Sequence, residues 1–137
     1  MQTAKIQWTG GEKFQATMPS GVAFRFDAGS AHTDGPGPME TLLGALGACT
    51  GVDIVLILEK KRQRLDSLEI SVSGERAKEP PQVWTTIEIV YRLSGRLDEK
   101  AVRDAIDLSQ QKYCSVAATL AKSARLTYRF EILPPQS

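Results

Sequence analysis

The sequence is short of the residues that build most metal and acid–base sites. It has one histidine, His32, and two cysteines, Cys49 and Cys114, among 137 residues, and it has no Cys-x-x-Cys motif. A structural zinc ion takes four such ligands, and a hydrolase of the common kind needs a well-placed histidine. Both classes are therefore disfavoured, and we expect the protein to use no metal and no cofactor.

An excess of charge of either sign is also missing. Seventeen Lys and Arg residues face sixteen Asp and Glu residues, which gives a net charge of +1. A nucleic-acid binder is expected to carry a basic face, so we expect no nucleic-acid partner. The first residues, up to Trp8, lack the basic and then apolar layout of a signal peptide, which predicts a cytoplasmic protein. Reducing conditions there disfavour a static disulfide.

Long hydrophobic runs are limited to one, from Thr41 to Leu58. It approaches the length of a membrane span, but it contains Asp53 and three glycines, and a charge at mid-membrane is expensive. A core helix and no membrane partner are the better interpretation. With 42% hydrophobic residues in a chain of this length, we expect a single domain over residues 1–137.

The periodicity of apolar residues predicts an α+β fold. Stretches with a period of two and β-branched or aromatic residues indicate strands, and stretches with a period near 3.6 indicate helices. In chain order we predict strands over 4–8, 13–18 and 22–26, a loop over 27–38, a helix over 39–62, two long antiparallel strands over 65–75 and 82–93, helices over 98–108 and 114–122, and a strand over 125–133.

The long helix has clear ends and an unusual middle. Pro38 and Glu40 suit its first turn, and the run from Lys60 to Arg62 suits its last. From Leu42 to Leu58 it is apolar on nearly every face, so we expect it to be covered all round, by more than its own small domain if necessary.

Cys49 lies in this helix among three glycines, Gly44, Gly47 and Gly51. Each costs roughly 1 kcal/mol against alanine in a helix interior, so something should offset that cost. One interpretation is that the small residues let another backbone or a small substrate reach the sulfur. The other is that Cys49 is inert, since free cysteines often behave as small buried hydrophobes.

Cys114 is predicted to lie in the first turn of a helix. The free N–H groups there favour the thiolate, and Lys112 adds positive charge nearby. From these residues alone, a reactive Cys114 and an inert one remain open. A shared redox site would need the fold to bring Cys114 to Cys49.

Two segments resemble a known family. The run PMETLLGALGAC from Pro38 to Cys49, followed by KYCSV from Lys112 to Val116, is similar to the OsmC/Ohr family of thiol-dependent peroxidases. The predicted element order is similar as well. The resemblance implies antiparallel sheets wrapped around a long central helix, in an intertwined homodimer with its active sites at the interface.

The resemblance also implies a mechanism. Cys49 matches the peroxidatic cysteine, which attacks hydrogen peroxide or a small organic hydroperoxide, and Cys114 matches the cysteine that then closes a disulfide. A dithiol reductant would reopen it. Arg25 resembles the arginine that keeps the thiol ionised; the alternative is a strand arginine with its head group in solvent.

This chain departs from the family pattern at the start of the helix. The family usually has a glutamate directly after the proline, where this chain has Met39, and the carboxylate follows at Glu40. One residue is about 100° of helix rotation, so Glu40 either contributes to the site or serves only the helix dipole.

Asp53 is a second departure, because it lies four residues after Cys49 on the same helix face. Left unpaired, it would raise the pKa of the thiol. Paired with Arg25, with Lys112 or with a cation of the other subunit, it would take over the orienting role that Met39 cannot fill.

A third departure concerns substrate. Members that reduce organic hydroperoxides usually have an arginine after the first Gly-Gly, where this chain has Glu12. That places it closer to the OsmC-like side. Two other functions therefore stay open: a non-catalytic binding protein for a small apolar or thiol-bearing ligand, and a structural dimer with inert cysteines.

Overall fold

The computed structural model describes residues 1–135 and confirms the predicted α+β order of elements. The chain divides into two compact units, Met1–Leu42 and a second that begins at Leu43. The elements in chain order are β1 (Lys5–Gly10), β2 (Lys13–Thr17), β3 (Ala23–Asp27), α1 (Pro38–Lys60), β4 (Arg64–Arg76), β5 (Trp84–Arg96), α2 (Glu99–Leu108), a π-helical turn (Ser109–Tyr113), α3 (Ser115–Leu120) and β6 (Arg125–Leu133).

The first unit is built on a three-stranded antiparallel sheet. β2 lies between β1 and β3, which is the meander that the sequence predicts. The hairpin between β1 and β2 turns at Gly10 and Gly11, whose φ angles are 115° and 56°. Only glycine adopts such angles without strain, so these two residues fix the turn and the register of the sheet.

The predicted loop after β3 is organised by Asp27, which is 3% exposed. Its carboxylate accepts hydrogen bonds from the backbone N–H groups of Gly29 (2.9 Å) and Asp34 (3.2 Å) and from the hydroxyl of Thr33 (3.2 Å). These bonds, the two backbone ones first, lower the pKa of Asp27. His32 belongs to the same loop, with its Nδ1 2.6 Å from the backbone oxygen of Asp27.

The second unit contains the other sheet, with β5 between β4 and β6. β4 and β5 are antiparallel, as predicted. β6, however, pairs parallel to β5, so the expectation of antiparallel sheets throughout is wrong for this strand. The reason is the connection, because α2 and α3 carry the chain back along the sheet and let β6 start at the same end as β5.

One stripe of α1 packs in the core of the second unit. Leu46, Thr50, Ile54 and Leu58 follow at intervals of four residues and are fully buried. Two of the helix glycines lie toward β4, because a Cβ at Gly47 would be 3.3 Å from Val72 and one at Gly51 would be 3.1 Å from Ile70. Side chains of the sheet therefore approach two of the glycines closely, while access of a backbone or a small substrate to the Cys49 sulfur stays a prediction.

Another face of α1 is exposed, so residues 1–135 alone do not cover the helix all round. Val52, Val55 and Leu56 are 59%, 43% and 52% exposed. By length and composition alone α1 could cross a membrane. The buried stripe of α1 is instead typical of a core helix, and the remaining face of this helix has no partner among residues 1–135.

Gly95 provides a test of the β4–β5 packing. Its φ is 141°, and a Cβ there would lie 2.1 Å from the backbone oxygen of Arg64. Gly95→Ala should therefore lower the free energy of unfolding by about 2 kcal/mol or more, measured by urea denaturation followed by circular dichroism. Ser73→Ala, at an exposed position of β4, is the control and should stay within about 0.5 kcal/mol of wild type. Equal stability of the two variants would contradict this packing.

Candidate active site

The fold brings the two cysteines together, as a shared site requires. Cys49 lies on α1 and is half-buried, and Cys114 precedes α3 and is 2% exposed; both are free thiols. Cys49 packs against the core cluster that contains Cys114 and is close enough to contribute to the raised pKa of that thiol, although 65 positions separate the two residues in the sequence. A disulfide between them requires the two sulfur atoms to come within bonding distance in a suitable geometry.

The π-helical turn sets the position of Cys114. α2 does not stop at Leu108 but continues into this turn, which closes when the N–H of Cys114 donates to the carbonyl of Ser109 at 2.7 Å. Cys114 then takes an extended backbone and caps α3, with its sulfur accepting from the N–H of Ala117 at 3.4 Å. Single π turns occur often at functional sites. The helix start near Cys114 was predicted; the π turn was not.

Cys114 is held as a thiol. Burial raises its pKa to about 11, assisted by the hydrogen bond and charge of Cys49 and by the charge of Asp53, while the N–H of Ala117 opposes the rise. The expectation that a helix start and Lys112 would favour the thiolate is therefore wrong. The single N–H group of Ala117 lowers the pKa by less than burial raises it. The Lys112 ammonium lies 5.2 Å from the centre of the Tyr113 ring.

A chain of buried hydroxyl groups lies beside the cysteines. Thr50 follows Cys49 on α1, and its Oγ1 is 2.7 Å from the hydroxyl of Tyr91 on β5 and 2.7 Å from that of Ser109. All three residues are fully buried. We call Tyr91, Thr50 and Ser109 the hydroxyl chain.

The hydroxyl chain ends on Asp53 at one side and on Gln110 at the other. Ser109 donates to Oδ2 of Asp53 at 2.9 Å, and the amide of Gln110 donates to Tyr91 at 2.6 Å. Each hydroxyl has one proton to donate. Since Ser109 gives its proton to Asp53, Thr50 must donate to Ser109 and Tyr91 to Thr50. Burial raises the pKa of Tyr91, which keeps the proton that this order needs.

Within this chain, Asp53 has a hydrogen-bond partner that the sequence did not suggest, and its pairing with a cation of the other subunit stays a prediction. Its recorded partner is the Ser109 hydroxyl, and among residues 1–135 no ion pair joins it to Lys112. Sequence reasoning missed the hydroxyl chain. The available signal was Thr50, a polar residue in an apolar helix directly after Cys49.

Arg25 and Glu40 both lie in the first unit. The Arg25 guanidinium on β3 is 3.8 Å from Asp34, which also pairs with Lys13 at 3.1 Å. Glu40 accepts from the N–H of Gly37 at 2.8 Å, the bond by which a third-position glutamate caps a helix. This bond agrees with the helix-terminus role considered for Glu40. The roles of both residues at the thiols stay predictions.

A cavity of about 450 Å³ adjoins Asp53. Its walls are mostly apolar, with two lysines on one side; the lining residues are Asp53, Leu56, Ile57, Lys60, Lys61, Leu108 and Tyr113. Because Asp53 is one helical turn from Cys49 and Tyr113 directly precedes Cys114, the cavity lies near the thiol pair.

The chain matches the family model described as "OsmC-like protein" over residues 30–129. It is 37% identical over 131 residues to Protein YhfA of Escherichia coli strain K12, covering 95% of this chain and 97% of YhfA. The chain therefore belongs to the OsmC-like protein family, as its two cysteine segments predict.

Solved structures share this fold. A hypothetical protein from Aquifex aeolicus VF5 has a TM-score of 0.88 and 31% identity, with 99% of this chain and 98% of that one covered. The organic hydroperoxide resistance protein OhrB of Bacillus subtilis has a TM-score of 0.62 and 18% identity, covering 94% of this chain and 98% of its own. The second likeness concerns the fold alone.

The raised pKa of Cys114 predicts a distinctive alkylation profile. In Cys49→Ser, the rate of reaction of Cys114 with iodoacetamide should keep rising as the pH passes 9, because burial and Asp53 still hold the thiol protonated. In denaturant the rate should level off near the ordinary thiol pKa of about 8.5. A plateau below pH 9 in the folded variant, checked for structure by circular dichroism, would contradict this picture.

Proposed function

We propose that the protein is a thiol-dependent peroxidase that reduces hydrogen peroxide or small organic hydroperoxides through Cys49 and a Cys49–Cys114 disulfide. The observation that carries the proposal is the proximity of the two cysteine side chains in one core cluster. Neighbouring free thiols are the one pair of groups in this site that can exchange two electrons with a peroxide and be reset by another thiol.

The different surroundings of the two thiols support the roles that we propose for them. Cys49 is half-buried and so is the thiol that a peroxide reaches first, whereas Cys114 is buried and protonated at neutral pH. The Cys49 thiolate attacks a peroxide oxygen, the O–O bond breaks, and the leaving oxygen takes up a proton from solvent and departs as water or an alcohol, which gives a sulfenic acid on Cys49. The Cys114 sulfur then attacks the Cys49 sulfur, the S–O bond breaks, and the hydroxyl leaves as water with the Cys114 proton.

A dithiol reductant completes the cycle by thiol–disulfide exchange, which returns both cysteines to thiols. We propose that Arg25 supplies the positive charge that keeps Cys49 ionised, and that Glu40 contributes by fixing the start of α1, where it caps the Gly37 N–H. On this proposal the protein works in the cytoplasm, in defence against oxidative stress. The name of the Bacillus subtilis structural relative, an organic hydroperoxide resistance protein, supports this assignment.

The exposed face of α1 supports a homodimer. Val52, Val55 and Leu56 form an apolar strip on the helix that also carries Cys49. Such a strip is normally covered, and the same strip of a second copy would cover it. The proposed assembly is a homodimer paired through α1, with no nucleic acid and no membrane as partner.

The dimer is tested by sedimentation velocity. Wild type should sediment as a dimer, and Val55→Glu should shift it to the monomer, because a charge would be buried against apolar side chains. Val83→Glu replaces an exposed valine outside α1 and is the matched control. A monomeric wild type would contradict the dimer and leave the thiol chemistry of one chain in place.

The peroxidase proposal is tested by intact mass and by turnover. One equivalent of cumene hydroperoxide should remove about two mass units from the reduced chain as the disulfide forms. Cys114→Ser should instead gain about sixteen as a sulfenic acid, and Cys49→Ser should not react. With a dithiol, Cys49→Ser should lose turnover completely. Equal turnover by wild type and Cys49→Ser would refute the proposal.

A second candidate function has its own observation. The apolar cavity beside Asp53, together with Met39 in place of the family glutamate, suits a binding protein that holds a small apolar or thiol-bearing ligand without catalysis. Native mass spectrometry of freshly purified protein would show a retained ligand. Retention together with thiols that ignore peroxide would favour this function over the first.

A further inference from the structure

We infer that Asp53 and Ser109 are positioning residues, which act through the hydroxyl chain to hold the sulfur of Cys114 against that of Cys49. The inference rests on the proposed function for its purpose, since it concerns the disulfide of the same cycle. It can be tested without any peroxide.

The hydroxyl chain connects the backbone on the two sides of the thiol pair. Thr50 is the residue after Cys49, and Ser109 opens the π turn whose closing hydrogen bond comes from the N–H of Cys114. The 2.7 Å contact of Thr50 with Ser109 therefore joins α1 at Cys49 to the turn that places Cys114. A displacement of Ser109 would move both the carbonyl that holds Cys114 and the hydroxyl that holds α1.

Asp53 fixes the direction in which the hydroxyl groups of the chain donate their hydrogen bonds. The Ser109 hydroxyl donates to Oδ2 of Asp53, and because each hydroxyl has one proton, the order of protons along Thr50 and Tyr91 follows. Without that acceptor, the buried Ser109 hydroxyl would have to turn its proton toward Thr50, which already donates to it. Two buried donors would then share one contact, and an unsatisfied buried polar group is costly.

This rigidity serves the formation of the Cys49–Cys114 disulfide. Cys114 is a thiol of high pKa, so it is a weak nucleophile at neutral pH and depends on position rather than ionisation. Holding two reacting groups in line replaces a bimolecular encounter by an intramolecular one, and an error of about 1 Å can cost roughly a hundredfold in rate. The hydroxyl chain supplies that alignment.

The test measures how readily the two thiols form their disulfide in a glutathione buffer. Each glutathione disulfide oxidises the pair in two exchange steps, through a mixed disulfide, and releases two glutathione thiols. The effective concentration of one cysteine at the other equals the squared concentration of glutathione thiol divided by that of glutathione disulfide, taken where half of the protein is oxidised. Ser109→Ala and Asp53→Ala should lower it by about tenfold or more.

Matched variants separate the hydrogen bond from the charge. Asp53→Asn keeps an acceptor oxygen for Ser109 and removes the charge, so its effective concentration should stay within about threefold of wild type. Asp104→Asn alters a half-buried carboxylate of α2 that pairs with Lys100, away from the hydroxyl chain, and should behave as wild type. Tyr91→Phe keeps the ring volume and removes one hydroxyl of the chain, and it should also lower the value, which preserves the test if the alanine variants fail to fold.

The alkylation rate of Cys49 in a Cys114→Ser background distinguishes positioning from general loosening. Adding Ser109→Ala there should leave the rate unchanged, because the distance to Cys114 no longer matters. An unchanged effective concentration in Ser109→Ala and Tyr91→Phe would overturn the inference, and so would a fall accompanied by an equal change in Cys49 alkylation. A wild type that closes its disulfide in glutathione but ignores peroxide would refute the peroxidase proposal and not this one.

Discussion

The contact between the side chains of Cys49 and Cys114 is the interaction on which the chemistry of this protein depends. It exists because two independent pieces of structure meet there. α1 buries the stripe that contains Thr50, and the π turn redirects the chain after α2 so that Cys114 enters the same space. A regular α-helix turns by about 100° at each residue, so one that continued past Leu108 would aim the Cys114 side chain in a different direction from the one that the π turn gives it.

The same burial that joins the thiols also makes them unequal. Cys114 loses solvent and lies near the charge of Asp53, so its proton is retained, while Cys49 keeps part of its surface in contact with solvent. Such a difference suits a two-step cycle, in which one sulfur reacts with the oxidant and the other then reacts with the sulfenic acid that forms. The hydroxyl chain suits this difference between the thiols, because Cys114 must react through its position beside Cys49 and not through a low pKa.

Much of the fold and the central pair of the site could be predicted from the sequence. Alternating residues predict the strands, the glycines after Trp8 predict the first hairpin, and the cysteine segments at Cys49 and Cys114 indicate the family. These features are local or are carried by short motifs. The parallel pairing of β6 could not be predicted, since strand direction is decided by a connection in three dimensions and not by the residues of the strand.

The π turn and the hydroxyl chain escape prediction for a related reason. One extra residue in a helical turn leaves no trace in the apolar pattern, and Thr50, Tyr91 and Ser109 come from three elements far apart in the sequence. The hydroxyl partner of Asp53 was missed because charge pairing suggests a cation, whereas a half-buried carboxylate is also satisfied by a hydroxyl donor. The high pKa of Cys114 likewise follows from burial, which the position at a helix start does not reveal.

Peptide mapping of the oxidised protein tests the central claim most directly. After brief exposure to peroxide and digestion under conditions that block thiol exchange, a peptide containing Cys49 should be joined to the peptide containing Cys114, and dithiothreitol should separate them. Mixing isotopically light and heavy protein shows whether the link is within one chain, as the contact of the two side chains predicts. Cysteines that remain free, or that oxidise separately to sulfinic and sulfonic acids, would contradict the account.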